Sequence, residues 1–255
     1  MSESPKNNTR HLYRAWRSSV LGNSVSKTDF ATGNSGNLLL DAVVKYGPEV
    51  QQEGAYCQLL GSTVAPEVYA LIPGGYVMER LRPAPRHREL LVEIAHLLEW
   101  HVWSRPALPS STETDWKDHL EDFGVEVPDW VDSMAPCMVH GDPTASNALI
   151  RDKKGAWQMG DVVMCDPRPP RNYIPQLRET DLGRILQSKL GWEVAAYDAV
   201  PVDFVEPPMD RMTRLRAMFW CGAAAARIER LERSRGHARM RIIDWCKQTR
   251  YICGV

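Results

Sequence analysis

No apolar run in this chain approaches the roughly 18 residues that a membrane-spanning helix needs, and its opening stretch, MSESPKNNTR, is polar. A membrane span and a signal-like leader are therefore not expected, and the expected location is the cytoplasm. The six cysteines, Cys57, Cys137, Cys165, Cys221, Cys246 and Cys253, form no C-x-x-C pair. That argues against a zinc site or a disulfide framework and for free thiols in a reducing compartment. Charge of one sign is also lacking: the formal net charge is -1, so nothing global invites nucleic acid or a membrane surface. Internal repeats are absent, and so is a G-x-G-x-x-G phosphate loop. What remains is an ordinary globular chain of 255 residues, long enough for one large domain or two lobes.

Patterning divides it unevenly. Residues 1–12 read as a frayed tail. Ser18 to Gly22 and Lys27 to Ala31 are short strand candidates, the turn signal Thr32-Gly33-Asn34-Ser35-Gly36-Asn37 follows, and Leu38 to Tyr46 reads as a strand broken by Gly47-Pro48. Glu49 to Leu60 has helical spacing. Val68 to Ile72 and Tyr76 to Met78 flank Pro73-Gly74-Gly75, a hairpin signal. After a linker expected near residues 80–86, Leu90, Leu91, Ile94, Leu97 and Leu98 mark an amphipathic helix running toward Trp103. Short helices are expected at Trp116 to Phe123 and Pro128 to Ser133, strands at Ala148 to Ile150 and Gln158 to Cys165, and mostly helix from Thr180 onward. The expected class is α+β: a small antiparallel β lobe over residues 13–81 and a larger, mainly helical lobe over 82–255.

The most informative stretch is Met138-Val139-His140-Gly141-Asp142-Pro143-Thr144-Ala145-Ser146-Asn147. An aspartate five residues before an asparagine, set between apolar residues, is the spacing of a phosphoryl-transfer loop, in which Asp receives the proton of an attacking hydroxyl and Asn holds magnesium. His140 would brace the loop and Gly141 would permit a tight backbone. A second metal carboxylate should follow at a strand end. Asp166, stopped by Pro167, is favoured, and Asp161 is the fallback. The β lobe should supply a lysine for the nucleotide phosphates. Lys45 ends an apolar strand, where a charge is expensive unless paired, and Glu53 is the expected partner, with Glu49 as alternative. The competing reading is an edge-strand lysine in solvent.

On these residues the chain resembles the aminoglycoside phosphotransferase and choline kinase superfamily, small-molecule kinases with a protein-kinase-like fold. His140-Gly141-Asp142-Pro143-Thr144 through Asn147, Asp166-Pro167-Arg168, and Glu179-Thr180-Asp181-Leu182-Gly183-Arg184 carry the likeness, across roughly residues 40–190. The resemblance implies ATP as phosphoryl donor, with GTP as alternative, and magnesium as the ion. It implies an interlobe segment at Tyr76-Val77-Met78-Glu79-Arg80-Leu81, with backbone groups of Glu79 and Leu81 toward adenine, and a covering loop at Gly22 to Ser26 that includes Ser24. It also implies that Asp181 buttresses the catalytic loop, although an N-terminal helix cap is an equal reading. Arg168 and Arg171 are open between phosphate contact and an ordinary ion pair.

The acceptor is expected to be a hydroxyl of a small molecule: a sugar, a nucleoside or an amino alcohol. Eleven Arg or Lys against three acids from Arg211 to Val255 count against a polycationic acceptor and favour a sugar, a nucleoside or an already phosphorylated one; a solvated helix face is the plain reading. Two rivals stand beside this one. One is a kinase of a macromolecule, protein or nucleic acid, docked on Arg227 to Arg241 with Trp220 and Trp245 near its ends. The other is a nucleotide-binding module without turnover. The sequence carries no signal of oligomeric state.

Overall fold

The computed structural model describes residues 42–47, 50–108, 120–151, 161–169, 175–235 and 237–255. The chain forms two compact units that meet at Leu81 and Arg82. The expected strands before residue 41, the turn at 32–37 and Ser24 lie outside the described residues. In the first unit, β1 (Ala42–Tyr46), β2 (Val68–Ile72) and β3 (Gly75–Glu79) make an antiparallel sheet in the order β1-β3-β2. The β2–β3 hairpin turns on Pro73-Gly74, with Ile72 opposite Gly75 and Gly74 at φ +74°. Proline presets the first turn position and glycine takes the left-handed one. Helix α1 (Val50–Leu60) packs on β3 through Gly54, where a Cβ would lie 2.6 Å from the Tyr76 ring. Tyr76 and Val77 are fully buried.

The second unit opens on the segment expected to be a linker. It is instead pinned in a second sheet: β4 (Arg82–Pro83) pairs with β5 (Ala148–Ile150), which pairs with β6 (Val162–Met164), all antiparallel. Proline is tolerated there because β4 is an edge strand. Helix α2 (Leu90–Leu98) buries Leu90, Leu91, Ile94 and Leu98 completely. Its apolar face lies against β6 and against α3 (Arg178–Lys189). The single helix expected as far as Trp103 widens into a π-helical turn over Glu99–Trp103. Pro128 to Ser133 becomes a 3₁₀ turn at Asp129–Ser133, and the expected helix at Trp116 to Phe123 is described only from Leu120. Three further helices follow among the described residues: α4 (Trp192–Tyr197), α5 (Arg211–Arg233) and α6 (Met240–Cys253). Asp210 caps α5 by accepting from the Met212 and Thr213 N–H groups at 2.8 and 3.0 Å. Helix α5 packs on both α3 and α6. The architecture is mixed α and β, with small antiparallel sheets and a large helical fraction. No described helix is long and apolar enough to cross a membrane.

Candidate active site

The loop from His140 to Asn147 is held from several sides. Its entry is fixed by Asp181, which is completely buried on α3: Oδ2 accepts from the His140 N–H and from Trp103 Nε1, and Oδ1 accepts from the Gly141 N–H, at 2.7, 2.9 and 2.7 Å. Asp181 is the fourth residue of its helix, whose cap position is Leu177, so its carboxylate serves the loop and not the helix end. Burial pushes this carboxyl up to about 6, although the three donors work against the rise.

Gly141 sits at φ +87°, and a Cβ there would lie 2.5 Å from the Arg168 carbonyl. Only glycine serves at such a crossing. Arg168 in turn donates its N–H to the His140 carbonyl at 2.8 Å. His140 is fully buried, and burial drives its imidazole down to about 4, with Asp142 and the Met164 carbonyl opposing. It is neutral near pH 7, and its Nδ1 receives the Asp142 N–H at 3.4 Å.

Asp142 has 16% of its side chain exposed. Arg168 Nε lies 3.2 Å from Oδ2 and Arg184 Nε 3.7 Å from Oδ1. Burial works to raise this carboxyl, but Arg184 and Arg168 outweigh it and hold the group below its ordinary value. Five residues on, Asn147 curls back: its Nδ2 donates to the Asp142 carbonyl at 2.8 Å. Between them, the Ala145 N–H donates to Ser188 Oγ at 2.9 Å and the Ser146 N–H to Glu193 Oε1 at 3.2 Å. Ser188 donates to the same Glu193 oxygen at 2.7 Å.

Strand register separates the two candidate metal aspartates. Ala148 pairs with Met164 and Ile150 with Val162, and the Cys165 N–H donates to the Asn147 carbonyl at 2.8 Å. Asp166 is therefore at the Asn147 end of the ladder. Asp161 precedes β6 at the far end, where its carbonyl accepts from Arg151 at 3.1 Å; it is not within the strand, as expected, but before it. At about 3.3 Å per residue, the intervening strand amounts to roughly 10 Å. Asp166 has φ +55°, a left-handed value uncommon for a residue other than glycine.

In the first unit, Lys45 Nζ lies 2.7 Å from Glu53 Oε1, which also accepts from Tyr76 Oη at 2.5 Å. Lys45 is on an edge strand of the described sheet, yet it is a half-buried, paired cation and not the solvent lysine of the competing reading. Glu79 spends its N–H on the Glu67 carbonyl at 2.8 Å and accepts the Glu67 N–H on its carboxylate at 3.2 Å. Any adenine contact at Glu79 must come from its carbonyl. Leu81 ends this unit, Arg171 lies outside the described residues, and Arg168 is an ion-pair partner of Asp142.

Three participants were given no role of their own from the sequence. Arg184 stands three residues after Asp181, a spacing that puts both on one helix face and could have pointed to it. Ser188 and Glu193 meet the loop across 43 and 47 residues, and no local pattern announces such partners.

No family model matches this chain, and no curated protein sequence matches it. Solved structures do. A choline/ethanolamine kinase family protein from Mesorhizobium loti is 12% identical, with 96% of this chain and 93% of that chain covered and a TM-score of 0.58. The choline kinase LicA from Streptococcus pneumoniae is 12% identical, with 96% and 99% covered and a TM-score of 0.53. The fold is that of the choline kinases. At 12% identity the likeness is one of fold, and what this site acts on has to be argued from its own residues.

Proposed function

We propose that this protein is an ATP-dependent, magnesium-requiring phosphotransferase acting on a hydroxyl of a small molecule. The observation that carries the reading is the Asp142–Asn147 loop, with the asparagine amide turned onto the Asp142 carbonyl at 2.8 Å and the loop entry gripped by Asp181. With Nδ2 spent in that bond, Oδ1 of Asn147 would be the metal donor. Asn147 and Asp166 offer only oxygen, which fits a hard magnesium ion that takes one or two protein ligands and fills its shell with phosphate and water. Bound there, the ion would neutralise charge on the phosphates. Backbone strain at Asp166 is of the kind stored where function fixes a residue.

Asp142 would accept a hydrogen bond from the acceptor hydroxyl and take its proton as the new O–P bond forms and the bond to the ADP oxygen breaks. Arg168 and Arg184 keep Asp142 ionised for that step. Neutral His140 braces the loop without competing for the proton. Lys45, oriented by Glu53, would hold the α- and β-phosphates; Glu79 and Leu81 would meet adenine through their backbone, and Ser24 would belong to the covering loop. Amino alcohols, the acceptors named for the structural neighbours, stand among the candidates with sugars and nucleosides.

A screen of hydroxylated compounds for ADP release tests this reading. With an accepted compound, Asp142→Ala should cut turnover by about 10²–10⁴-fold and leave Mg·ATP affinity nearly unchanged. Full turnover in that variant would sink the mechanism.

A further inference from the structure

Helices α5 and α6 pack along each other, and one close approach between them brings two cysteines together. Gly222 of α5 makes room for it: a Cβ there would lie 2.9 Å from the Cβ atoms of Cys253 and Val255, at and just beyond the end of α6. Through that gap Cys253 reaches α5, where its thiol is hydrogen-bonded to the Cys221 thiol and meets the Gly222 backbone N–H. Both are free thiols. They differ in access, for Cys221 is fully buried and Cys253 is half-buried. No sequence spacing announces this pair.

The neighbours make Cys253 the better nucleophile. The hydrogen bond from Cys221 holds its thiol below the ordinary value; burial opposes this, and the Gly222 N–H and the Arg214 guanidinium assist. The same bond, together with burial, pushes the Cys221 thiol up. Burial also pushes Cys137 and Cys246 up to about 12. A reachable sulfur of thiolate character, already touching a second thiol, is placed to be oxidised and then resolved as a disulfide.

We infer that Cys221 and Cys253 are an oxidisable pair, which hydrogen peroxide converts to a reversible disulfide that fastens the end of α6 to α5. The Cys253 sulfur attacks one peroxide oxygen, the O–O bond breaks, and the other oxygen leaves as water; Cys253 is then a sulfenic acid. Cys221 gives up its proton and attacks that sulfur, so the S–S bond forms and the S–O bond breaks, releasing a second water. Two thiols have passed two electrons to the peroxide. Cys253 is the last residue of α6 and precedes Gly254 at φ +71°. The sulfurs can therefore close to about 2.0 Å at a helix end, where the backbone adjusts more readily than in mid-helix. This site goes beyond the phosphotransferase reading and does not depend on it.

Peptide mapping of the full chain after hydrogen peroxide, alkylation and trypsin tests this. The bridge should join the peptides Ala217–Arg227 and Tyr251–Val255, and dithiothreitol should undo it. The bridged protein should melt about 5 °C or more above the reduced form, a shift that Cys253→Ser lacks. Cys221→Ala, which leaves Cys253 without its partner, should stop at a sulfenic acid that dimedone labels. Free thiols in both peptides after peroxide would overturn the inference. So would Cys253 oxidised to sulfinic acid in wild type while Cys221 stays a thiol, Cys253 bridged to another cysteine, or a bridged protein that melts with the reduced one.

Discussion

At the scale of single residues, the centre of this protein is a pair of buried titratable groups whose environments pull in opposite directions. Asp181 is pushed up to about 6 and His140 down to about 4. For Asp181 the folded state binds its proton more tightly than the unfolded chain, whose aspartate titrates near 3.8. Its contribution to stability is therefore present below pH 3.8 and lost as pH rises through about 6. His140 does the reverse, losing stability as pH falls from 6.5 through about 4. Asp181→Asn removes the first effect while keeping the size of the side chain. The stability of wild type relative to this variant should then fall by up to about 3 kcal/mol between pH 3.5 and 7, read from urea unfolding at each pH. A pH-independent difference would mean that Asp181 does not titrate between folded and unfolded states as described. Asn147 and Asp142 were legible in the sequence because a five-residue spacing within one loop is local. Asp166 was separable from Asp161 only through the register of β5 against β6, which no linear pattern shows.

At the scale of elements, helix α3 and the start of α4 act as a frame for the loop. Asp181 grips its entry, and Ser188 with Glu193 grips the 3₁₀ turn Ala145–Asn147 that carries the asparagine. Ser188→Ala would leave the buried Ala145 N–H without its acceptor, a loss of about 1–3 kcal/mol. We expect a lowered thermal midpoint, a reduced kcat and a weaker affinity for Mg·ATP, with the affinity for ATP in the absence of magnesium retained, because the turn carries the proposed metal ligand Asn147. Ser188→Thr, which keeps the hydroxyl, should recover much of all three. Elements with a strong period were readable in advance: α2 from its leucine stripe, and the β2–β3 hairpin from Pro73-Gly74. The expected linker was not, since Arg82 and Pro83 become a strand only by pairing with Ile150 and Leu149. The π-helical turn was hidden too; it ends at Trp103, whose indole donates to Asp181, and such turns recur at functional positions.

Across the whole molecule, the arginine surplus of the last 45 residues reads differently once paired. Glu229 takes Arg233 and Arg250, Glu232 takes Arg235 and Arg239, Glu206 takes Arg214, and Asp198 takes Arg241. Trp220 and Trp245, expected at the ends of a docking surface, are buried at 5% and 7% exposure, and the Trp245 indole is spent on the Leu190 carbonyl. Aromatic rings enclosed in this way cannot stack on bases. The pairing and the buried indoles count against a macromolecular docking surface here and favour solvated helix faces for these residues. Heparin or single-stranded DNA should bind weakly, with a shallow salt dependence. Tight binding that falls steeply between 50 and 200 mM salt, the range over which phosphate-contacting proteins lose most affinity, would restore that surface.

In the proposed function, Asn147 and Asp166 together hold the magnesium–nucleotide complex. Thermal-shift titration with ATP and GTP, with and without magnesium, on wild type, Asp166→Ala and Asp161→Ala tests it most directly. Wild type and Asp161→Ala should show a magnesium-dependent stabilisation that disappears in Asp166→Ala. A stabilisation that survives Asp166→Ala, or the absence of any shift with either nucleotide in wild type, would contradict it.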